Sequence, residues 1–296
     1  MNLTLKLNNI NKQKTYILSA ILSGFALISS CSKSSTPATP APAKVITAPV
    51  SKEWSFEAST MWSDEFDYTG LPNSSKWNYD LGGSGWGNNE LQYYTDNIKN
   101  VEVANGVLTI TARKEMMGGK DYTSTRLISK NKGDFLYGRI EVKAKLPSGK
   151  GTWPAIWMLP TDWAYGGWPK SGEIDIMEHV GYDQDKVHIS VHTEAYNHSI
   201  NTQRSGSKMV PGASTDFHIY RVDWTPKSII GYIDGEQVFQ FLNEERGSAV
   251  WPFDKRFHLL INVAFGGNWG AAQGIDPSVL PQKLEVDYVK VYKMIE

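Results

Sequence analysis

Residues 139–146 read RIEVKAKL, and this alternation of apolar and charged side chains decides the fold class. Ile140, Val142, Ala144 and Leu146 form the apolar side, while arginine, glutamate and lysine occupy the positions between them. Residues that alternate with a period of two point to opposite faces of a β-strand. The segment therefore predicts a strand that buries one face in a hydrophobic core and exposes the other.

The same period of two recurs in several short segments, among them 107–112 and 187–192. The pair Asp234-Gly235 stands between two apolar runs, which indicates a tight β-hairpin. The chain after residue 51 shows no long amphipathic helix pattern, and turn residues separate its short apolar segments. We therefore predict an all-β antiparallel sandwich, whose curved sheets offer a concave groove to a polymer.

The first thirty residues have the features of an export signal. Residues 16–28 form an apolar run of signal-peptide length, too short to span a bilayer. The run leads into Ser29-Ser30-Cys31, which looks like a bacterial lipobox. We predict a lipoprotein signal peptide over 1–30, with cleavage before Cys31 and lipid on its thiol. An ordinary secretory signal with an incidental cysteine is the alternative.

Residues 31–51 are rich in Ser, Thr, Pro and Ala, a composition typical of an extended tether rather than of a packed core. Residues 52–296 have an even composition without internal repeats, and we predict that they form one domain. The tether and the lipid predict an exported protein that is anchored to the cell envelope. We expect it in the outer membrane and facing outward, with no contact to the membrane except through Cys31.

Overall composition narrows the function further. The chain has 30 Lys and Arg against 31 Asp and Glu, with no basic tract, which argues against nucleic acid as a partner. Its single cysteine offers neither a disulfide nor a thiolate metal site. The 11 Trp and 14 Tyr exceed what a core needs and provide flat surfaces on which sugar rings can stack.

The segment GEIDIMEH, residues 172–179, contains three acidic side chains among apolar ones. Glu173 and Asp175 share a strand face by simple alternation, whereas Glu178 is five positions from Glu173 and points to the opposite face of a regular strand. One extra residue in a β-bulge near Ile176 and Met177 brings Glu178 back to the same face. The two glutamate Cα atoms are then roughly 13 Å apart, at about 3.3 Å per residue.

Two carboxyl groups on one face predict glycoside hydrolysis. Side chains that lean together reach the ~5–5.5 Å spacing of retaining enzymes, whereas inverting enzymes need ~6.5–9.5 Å. Glu173 would attack the anomeric carbon in its ionised form, and Glu178 would protonate the leaving oxygen with a raised pKa. Asp175 would hold Glu173 in position and separate the two pKa values. The alternative is a solvated acidic strand face.

GEIDIMEH resembles the active-site strand of glycoside hydrolase family 16 in its bulged form, with two residues between the aspartate and the second glutamate. The resemblance extends in order over 62–293, through WSDEFDYTG near the start, GWGNNELQYYT (85–95), GTWPAIWMLP (151–160), NVAFGGNWG (262–270) and the closing VDYVKVYK. It points to the laminarinase branch. It implies a β-jelly-roll, retaining double displacement and endo-acting hydrolysis of β-1,3-glucan without a catalytic cofactor. We expect the protein to be a monomer.

The resemblance also implies roles for individual residues. Glu173 matches the nucleophile, Glu178 the acid/base, Asp175 the assisting acid and His192 a histidine beside the acid/base. The substrate-binding positions are matched by Trp86, Asn88, Arg126, Trp153, Trp157 and Trp269, and a packing role is the alternative for these side chains. Trp153 and Trp157 are four residues apart and are expected on one strand face. A structural calcium ion is implied at Glu65, Gly106 and Asp287, largely through backbone carbonyls.

Other functions on the same fold remain open at this stage. Relatives specific for mixed-linkage glucan usually have an unbulged strand, so mixed-linkage cleavage is expected as a side activity. Hydrolysis of agarose or of a sulfated galactan is a further alternative, although we find few basic residues to read sulfate. Non-catalytic glucan-binding relatives typically lack one of the two glutamates, and this chain has both. After the GGNWG motif it has Ala271 where many laminarinases have glycine, which predicts an altered loop.

Overall fold

The computed structural model describes residues 54–295. The predicted signal peptide, the tether and Cys31 lie outside these residues. In chain order the strands are β1 (Ser55–Asp64), β2 (Asn78–Asp80), β3 (Gln92–Tyr94), β4 (Val101–Ala104), β5 (Val107–Met117), β6 (Lys120–Ser124), β7 (Arg126–Ile128), β8 (Asp134–Phe135), β9 (Gly138–Lys145), β10 (Thr152–Pro160), β11 (Glu173–His179), β12 (Lys186–His192), β13 (Arg204–Met209), β14 (His218–Trp224), β15 (Ser228–Ile233), β16 (Glu236–Leu242), β17 (Phe257–Phe265) and β18 (Gln282–Ile295). A single turn of helix, α1 (Gly267–Gly270), follows β17, and short 3₁₀ helices lie at His198–Ile200 and Pro277–Val279. Within the described residues, no helix is long and apolar enough to cross a membrane.

The strands form two sheets. The first has ten strands in the order β16-β15-β14-β9-β18-β5-β6-β3, with β1 beside β18 and β4 beside β5. The second has eight strands in the order β13-β12-β11-β10-β17-β7-β2, with β8 beside β17. Neighbouring strands are antiparallel except β3 and β6, which are parallel. The predicted antiparallel sandwich is confirmed.

The hydrophobic core lies between the two sheets. It combines Leu108 and Ile110 of the first sheet with Ile174 and Val191 of the second, all fully buried. Along β9 buried and half-buried residues alternate without exception, as the pattern RIEVKAKL predicts. Burial of these apolar side chains is the main stabilising term, at about 25 cal/mol for each Å² removed from water.

The predicted hairpin is also present. β15 pairs with β16 in an antiparallel ladder that begins directly after the two-residue turn. Both turn residues have positive φ, 51° at Asp234 and 82° at Gly235, as a type I′ turn requires. Aspartate and glycine adopt this conformation at low steric cost, which explains their place in the sequence.

The predicted bulge lies in β11. Met177 and Asp175 pair with consecutive residues of β10, which leaves Ile176 between them as the extra residue. The ladder with β12 is interrupted over the same residues. Ile176 and Met177 are both fully buried in the core. The bulge therefore turns Glu178 to the same face of the sheet as Glu173 and confirms the sequence prediction.

Candidate active site

A cavity of about 420 Å³ lies on the outer face of the second sheet, above β10, β11 and β17. Its lining includes eight of the residues predicted from the sequence, namely Trp86, Asn88, Arg126, Trp153, Trp157, Glu173, Asp175 and Glu178. Alternate residues of β10 line it from Trp153 to Leu159, so the spacing of four between Trp153 and Trp157 has the predicted effect. The sandwich thus brings segments that are far apart in sequence into one cavity.

Glu173 and Glu178 each accept a hydrogen bond from a tryptophan. Trp168 Nε1 donates to Glu173 Oε2 over 2.7 Å. Trp153 Nε1 donates to Glu178 Oε1 over 3.2 Å. An indole nitrogen only donates, so each bond favours the ionised carboxylate and fixes one of its oxygens. The sequence resemblance suggested Trp153 as a sugar platform, and the structure adds this contact with the acid/base.

Asp175 lies between the two glutamates and is 1% exposed. His192 on β12 is directly across the ladder from Glu173. Its Nε2 atom lies 3.2 Å from Asp175 Oδ2, and its side chain is 6% exposed. His192 therefore contacts Asp175 from the neighbouring strand and does not line the cavity, and its predicted place beside the acid/base Glu178 stays a prediction.

The pKa values of all three carboxyl groups are raised. Burial raises the pKa of Glu178 to about 7, with a contribution from the charge of Glu173 and an opposing one from His192. Burial and the neighbouring charge of Asp175 raise the pKa of Glu173 to about 8. Burial and Glu178 raise the pKa of Asp175 well above its ordinary value.

The raised pKa of Glu178 agrees with the predicted acid/base role. The pKa of Glu173 is raised as well, so the free protein does not favour the ionised carboxylate that the predicted nucleophile needs. Three carboxyl groups close together in a buried site repel one another when ionised, so they retain protons in common. The predicted roles require the form in which Glu173 has lost its proton and Glu178 has kept its own. Trp168 favours that form, because it lowers the pKa of Glu173 alone, whereas the charge of His192 lowers the pKa values of both glutamates.

Arg126 joins two of the predicted sugar-binding tryptophans. Its guanidinium lies 4.7 Å from the ring centroids of both Trp86 and Trp157. Its Nε atom lies 3.0 Å from Asp80 Oδ2. Trp157 Nε1 in turn donates to Asn262 Oδ1 over 2.7 Å. This arrangement holds flat aromatic surfaces and polar groups side by side, which suits a sugar ring with an apolar face and polar edges.

Trp269, on α1, stands behind the cavity wall. Its ring lies edge to face with Trp153 at 5.6 Å between centroids and with His188 at 5.1 Å. It is not among the residues that line the cavity. A substrate contact by Trp269 therefore stays a prediction, while its support of Trp153 follows from the geometry.

Sequence reasoning missed several residues of the cavity. These are Gly87, Glu90, Ala155, Leu159, Trp163, Trp168, His198, Ser199, Asn262 and Ala264. Glu90 and Asn262 stand inside motifs already quoted and could have been named from them. Trp168 and His198, whose ring centroids lie 4.9 Å apart, come from loops without periodic pattern. Nothing in the local sequence indicates that these two loops meet beside Glu173.

The three residues of the implied calcium site come from strands that meet along β18. Asp64 and Leu108 pair with residues of β18 that flank Asp287. Glu65 follows the end of β1, and Gly106 lies in the turn just before β5. The topology therefore gathers Glu65, Gly106 and Asp287 along one edge of β18. This strand belongs to the first sheet, whereas the cavity lies on the second.

The carboxylates at this position already have cationic partners. Glu65 pairs with Lys290 over 3.2 Å, and Asp287 pairs with Lys143 over 2.7 Å. With both carboxylates paired to lysines, a calcium ion here would rely on backbone carbonyl oxygens. The site stays a prediction.

Three acidic side chains on one bulged strand, with tryptophans around them in a concave cavity, define a glycoside hydrolase. The chain belongs to glycoside hydrolase family 16, since residues 87–290 match the model described as "Glycosyl hydrolases family 16". It is 55% identical over 244 residues to a beta-glucanase of Rhodothermus marinus. That match covers 80% of this chain and 85% of the relative.

Solved structures agree with this assignment. The laminarinase from Rhodothermus marinus superposes with a TM-score of 0.79 at 53% identity, over 82% of this chain and 99% of that one. A non-specific endo-β-1,3(4)-glucanase of the same family superposes with a TM-score of 0.76 at 43% identity, over 81% and 93%. The sandwich is thus the family's β-jelly-roll, as the sequence resemblance implied, and the protein is an enzyme.

The hydrogen bond from Trp168 to Glu173 leads to a first prediction. Trp168→Phe keeps an aromatic ring but removes the donor, so the pKa of Glu173 rises and less of it is ionised. A hydrogen bond to a charged group contributes about 1.5–3 kcal/mol, so we expect kcat to fall about 10- to 100-fold. The acidic limb of the kcat profile should move to higher pH. An unchanged acidic limb would contradict the proposed contact.

The raised pKa of Glu178 leads to a second prediction. Its folded value of about 7 exceeds the ordinary 4.5, so the stability that it contributes is complete below about pH 4.5 and is lost as pH rises through 7. Glu178→Gln should therefore melt several degrees above the native protein at pH 8, with little difference at pH 4.5, since 1 kcal/mol corresponds to about 2–4 °C in a domain of this size. Calorimetry at both pH values measures this. Burial lowers the pKa values of His179 and His258 to about 4 and about 3, which destabilises the fold in acid. Both proteins contain these histidines, so this effect drops out of the difference between their melting temperatures.

Proposed function

We propose that the protein is an endo-acting hydrolase of β-1,3-glucan that retains the anomeric configuration. The observation that carries the proposal is the bulge in β11, which turns Glu173 and Glu178 into one cavity. The relatives support the substrate, because they include a laminarinase and a beta-glucanase. The endo mode is supported by the similarity to the endo-β-1,3(4)-glucanase.

The mechanism follows from the positions of the side chains. Glu173 attacks the anomeric carbon and forms a glycosyl-enzyme, while Glu178 gives its proton to the leaving oxygen. Glu178, now ionised, then removes a proton from water that attacks the same carbon, and Glu173 is released. Asp175 and His192 hold the ionised carboxylate of Glu173 in position before it attacks, and Glu173 is an uncharged ester between the two steps. No step needs a metal or an organic cofactor.

Products of laminarin test the proposal. Mass analysis should show short oligosaccharides of several lengths early in the digest, as random internal cleavage requires. NMR taken within minutes should show the β-anomer first, because two displacements restore the configuration. Initial release of the α-anomer would reject retention, and glucose as the sole product would reject endo action. No product from any β-1,3-glucan would reject the function itself.

Mixed-linkage β-1,3-1,4-glucan is the second candidate substrate. The observation in its favour is the similarity to the non-specific endo-β-1,3(4)-glucanase. Parallel kinetics on laminarin and on barley glucan decide between them, and we propose a higher kcat/KM on laminarin. A higher value on barley glucan would make mixed-linkage hydrolysis the main activity.

We further propose that the enzyme acts as a monomer tethered to the outer face of the cell envelope through lipid on Cys31. The lipobox-like segment and the Ser/Thr/Pro/Ala-rich residues 31–51 support this placement. Metabolic labelling with a palmitate analogue should mark the native protein and fail on Cys31→Ser. Equal labelling of both would reject the anchor.

We also propose that one calcium ion binds at Glu65, Gly106 and Asp287 and stabilises the fold. The convergence of β1 and β5 beside Asp287 supports it. Calcium added to chelator-treated protein should raise the melting temperature without changing kcat, because the site and the cavity belong to different sheets. An unchanged melting temperature would reject the ion.

A further inference from the structure

The catalytic carboxyl groups and His192 together have the composition of a transition-metal site. One donor atom from each of Glu173, Asp175 and His192 lies within 4.8 Å of the other two. Two of these side chains are almost completely buried, Asp175 at 1% and His192 at 6% exposure. Glu173 and Asp175 line the cavity, so an ion from solvent can reach them.

One unpartnered atom in this group supports a ligand there. Asp175 Oδ2 is buried without a hydrogen-bond partner, although His192 Nε2 lies 3.2 Å away. A buried polar atom without a partner costs about 1–3 kcal/mol, which a bound cation would recover.

The distances suit zinc. Zn²⁺ binds His nitrogen at about 2.0–2.1 Å and carboxylate oxygen at about 2.0–2.2 Å, so two tetrahedral ligands are roughly 3.4 Å apart. Asp175 Oδ2 and His192 Nε2 are 3.2 Å apart, close to that separation. A donor oxygen of half-buried Glu173 lies within 4.8 Å of both atoms, so this third ligand has to move closer for all three to bind one ion. Three protein ligands leave the fourth position to water, as in open zinc sites.

Charge and ligand type exclude a hard cation as the preferred occupant. A divalent ion displaces the protons that Glu173 and Asp175 retain, and the two carboxylates then balance its charge. Imidazole selects zinc, copper or nickel over calcium and magnesium. Calcium requires six to eight oxygen ligands, which this group does not supply. Arg126, a cationic residue of the same cavity, is paired with Asp80 over 3.0 Å and so does not neutralise the carboxylates.

We propose that Glu173, Asp175 and His192 bind a divalent transition-metal ion, with Zn²⁺ as the preferred ion. The bound ion reversibly inhibits the hydrolysis of glucan. The bound ion occupies an oxygen of Glu173 and the space that the anomeric carbon needs. Zinc is then a competitive inhibitor with respect to glucan and is removed by a chelator. The inhibition rests on the proposed function, whereas the binding does not.

Calorimetry with zinc chloride tests the binding. Chelator-treated protein is titrated in excess calcium, which masks a hard-cation site elsewhere. The native protein should bind one zinc ion, and His192→Gln should bind it about tenfold more weakly or worse, since loss of one ligand exceeds the effect of a supporting residue. His188→Gln is the matched control, because this histidine lies on the same strand but outside the donor group. Its affinity should equal that of the native protein.

Three results would overturn the proposal: no zinc binding by the native protein, equal affinity in His192→Gln, or equal loss in His188→Gln. Thermal melting without metal shows whether each variant is folded, and Asp175→Asn replaces His192→Gln if the latter is not. Kinetics on laminarin test inhibition, which should vanish on addition of chelator. Binding without inhibition would overturn the blocking role. An enzyme inactive on glucan would still give the calorimetric answer.

Discussion

Replacing Glu173 with alanine is expected to lower kcat on laminarin by about 10⁴-fold or more, because no covalent intermediate forms without the nucleophile. Azide should restore turnover, since the truncated side chain leaves space for a small anion beside the anomeric carbon. That single displacement inverts the configuration and yields an α-glycosyl azide. Reducing-sugar release measures the loss, and NMR identifies the azide. The stereochemistry assigns the role of Glu173, which the rate alone does not.

Glu102→Ala is the control for the removal of a carboxylate. Glu102 is exposed on β4, in the other sheet from the cavity, and its loss should leave kcat and KM unchanged. Circular dichroism should show the same β signal in both variants. A Glu173→Ala enzyme that retains a tenth of native activity, or that forms the β-azide, would contradict the nucleophile assignment.

The part of the site that lies on regular strands could be predicted from the sequence. Alternation places Trp153 and Trp157 on one face of β10, and the five-residue gap between Glu173 and Glu178 requires a bulge if both are catalytic. The bulge is a local consequence of side-chain chemistry, because two consecutive apolar residues, Ile176 and Met177, must both reach the core. Such rules need only a few neighbouring residues, and the structure confirms them.

The part of the site that depends on loops could not be predicted. Trp168 and His198 are thirty residues apart, and each loop follows a different strand. Their contact depends on how those loops fold back over β11, which has no periodic signature. Lys170 and Glu194 pair over 3.5 Å and connect the two loops, but an exposed pair of this kind is weak and is not evident from sequence.

The charge state of the site is also a tertiary property. The sequence shows three acids but not how deeply they are buried, and burial is the largest cause of the raised pKa values of Glu173 and Glu178. Trp168 and Trp153 oppose that effect by donating to one glutamate each. Ionisation at neutral pH is therefore set by a balance of tertiary contacts. Desolvation and the neighbouring carboxyl groups raise the pKa values, while the charge of His192 and the two indole donors lower them.

Replacing Glu178 with alanine is expected to lower kcat on laminarin about 10²- to 10⁴-fold, because the leaving sugar then departs without a proton. A dinitrophenyl β-laminaribioside should behave differently, since its phenolate leaves without protonation. With that substrate the first step survives, the glycosyl-enzyme accumulates, and stopped-flow absorbance shows a burst of one phenolate for each active site. Azide should then accelerate turnover and yield a β-glycosyl azide, because it attacks an intermediate that is already inverted.

The burst separates the acid/base role from a structural one. A variant that is merely distorted loses activity on both substrates, whereas loss of the acid alone leaves the first step on the aryl substrate intact. The native enzyme provides the matching pH control: burial raises the pKa of Glu178 to about 7, so kcat/KM on laminarin should fall as pH rises above 7. With the dinitrophenyl substrate this alkaline limb should be absent. An alkaline limb shared by both substrates would assign the ionisation to a group other than Glu178.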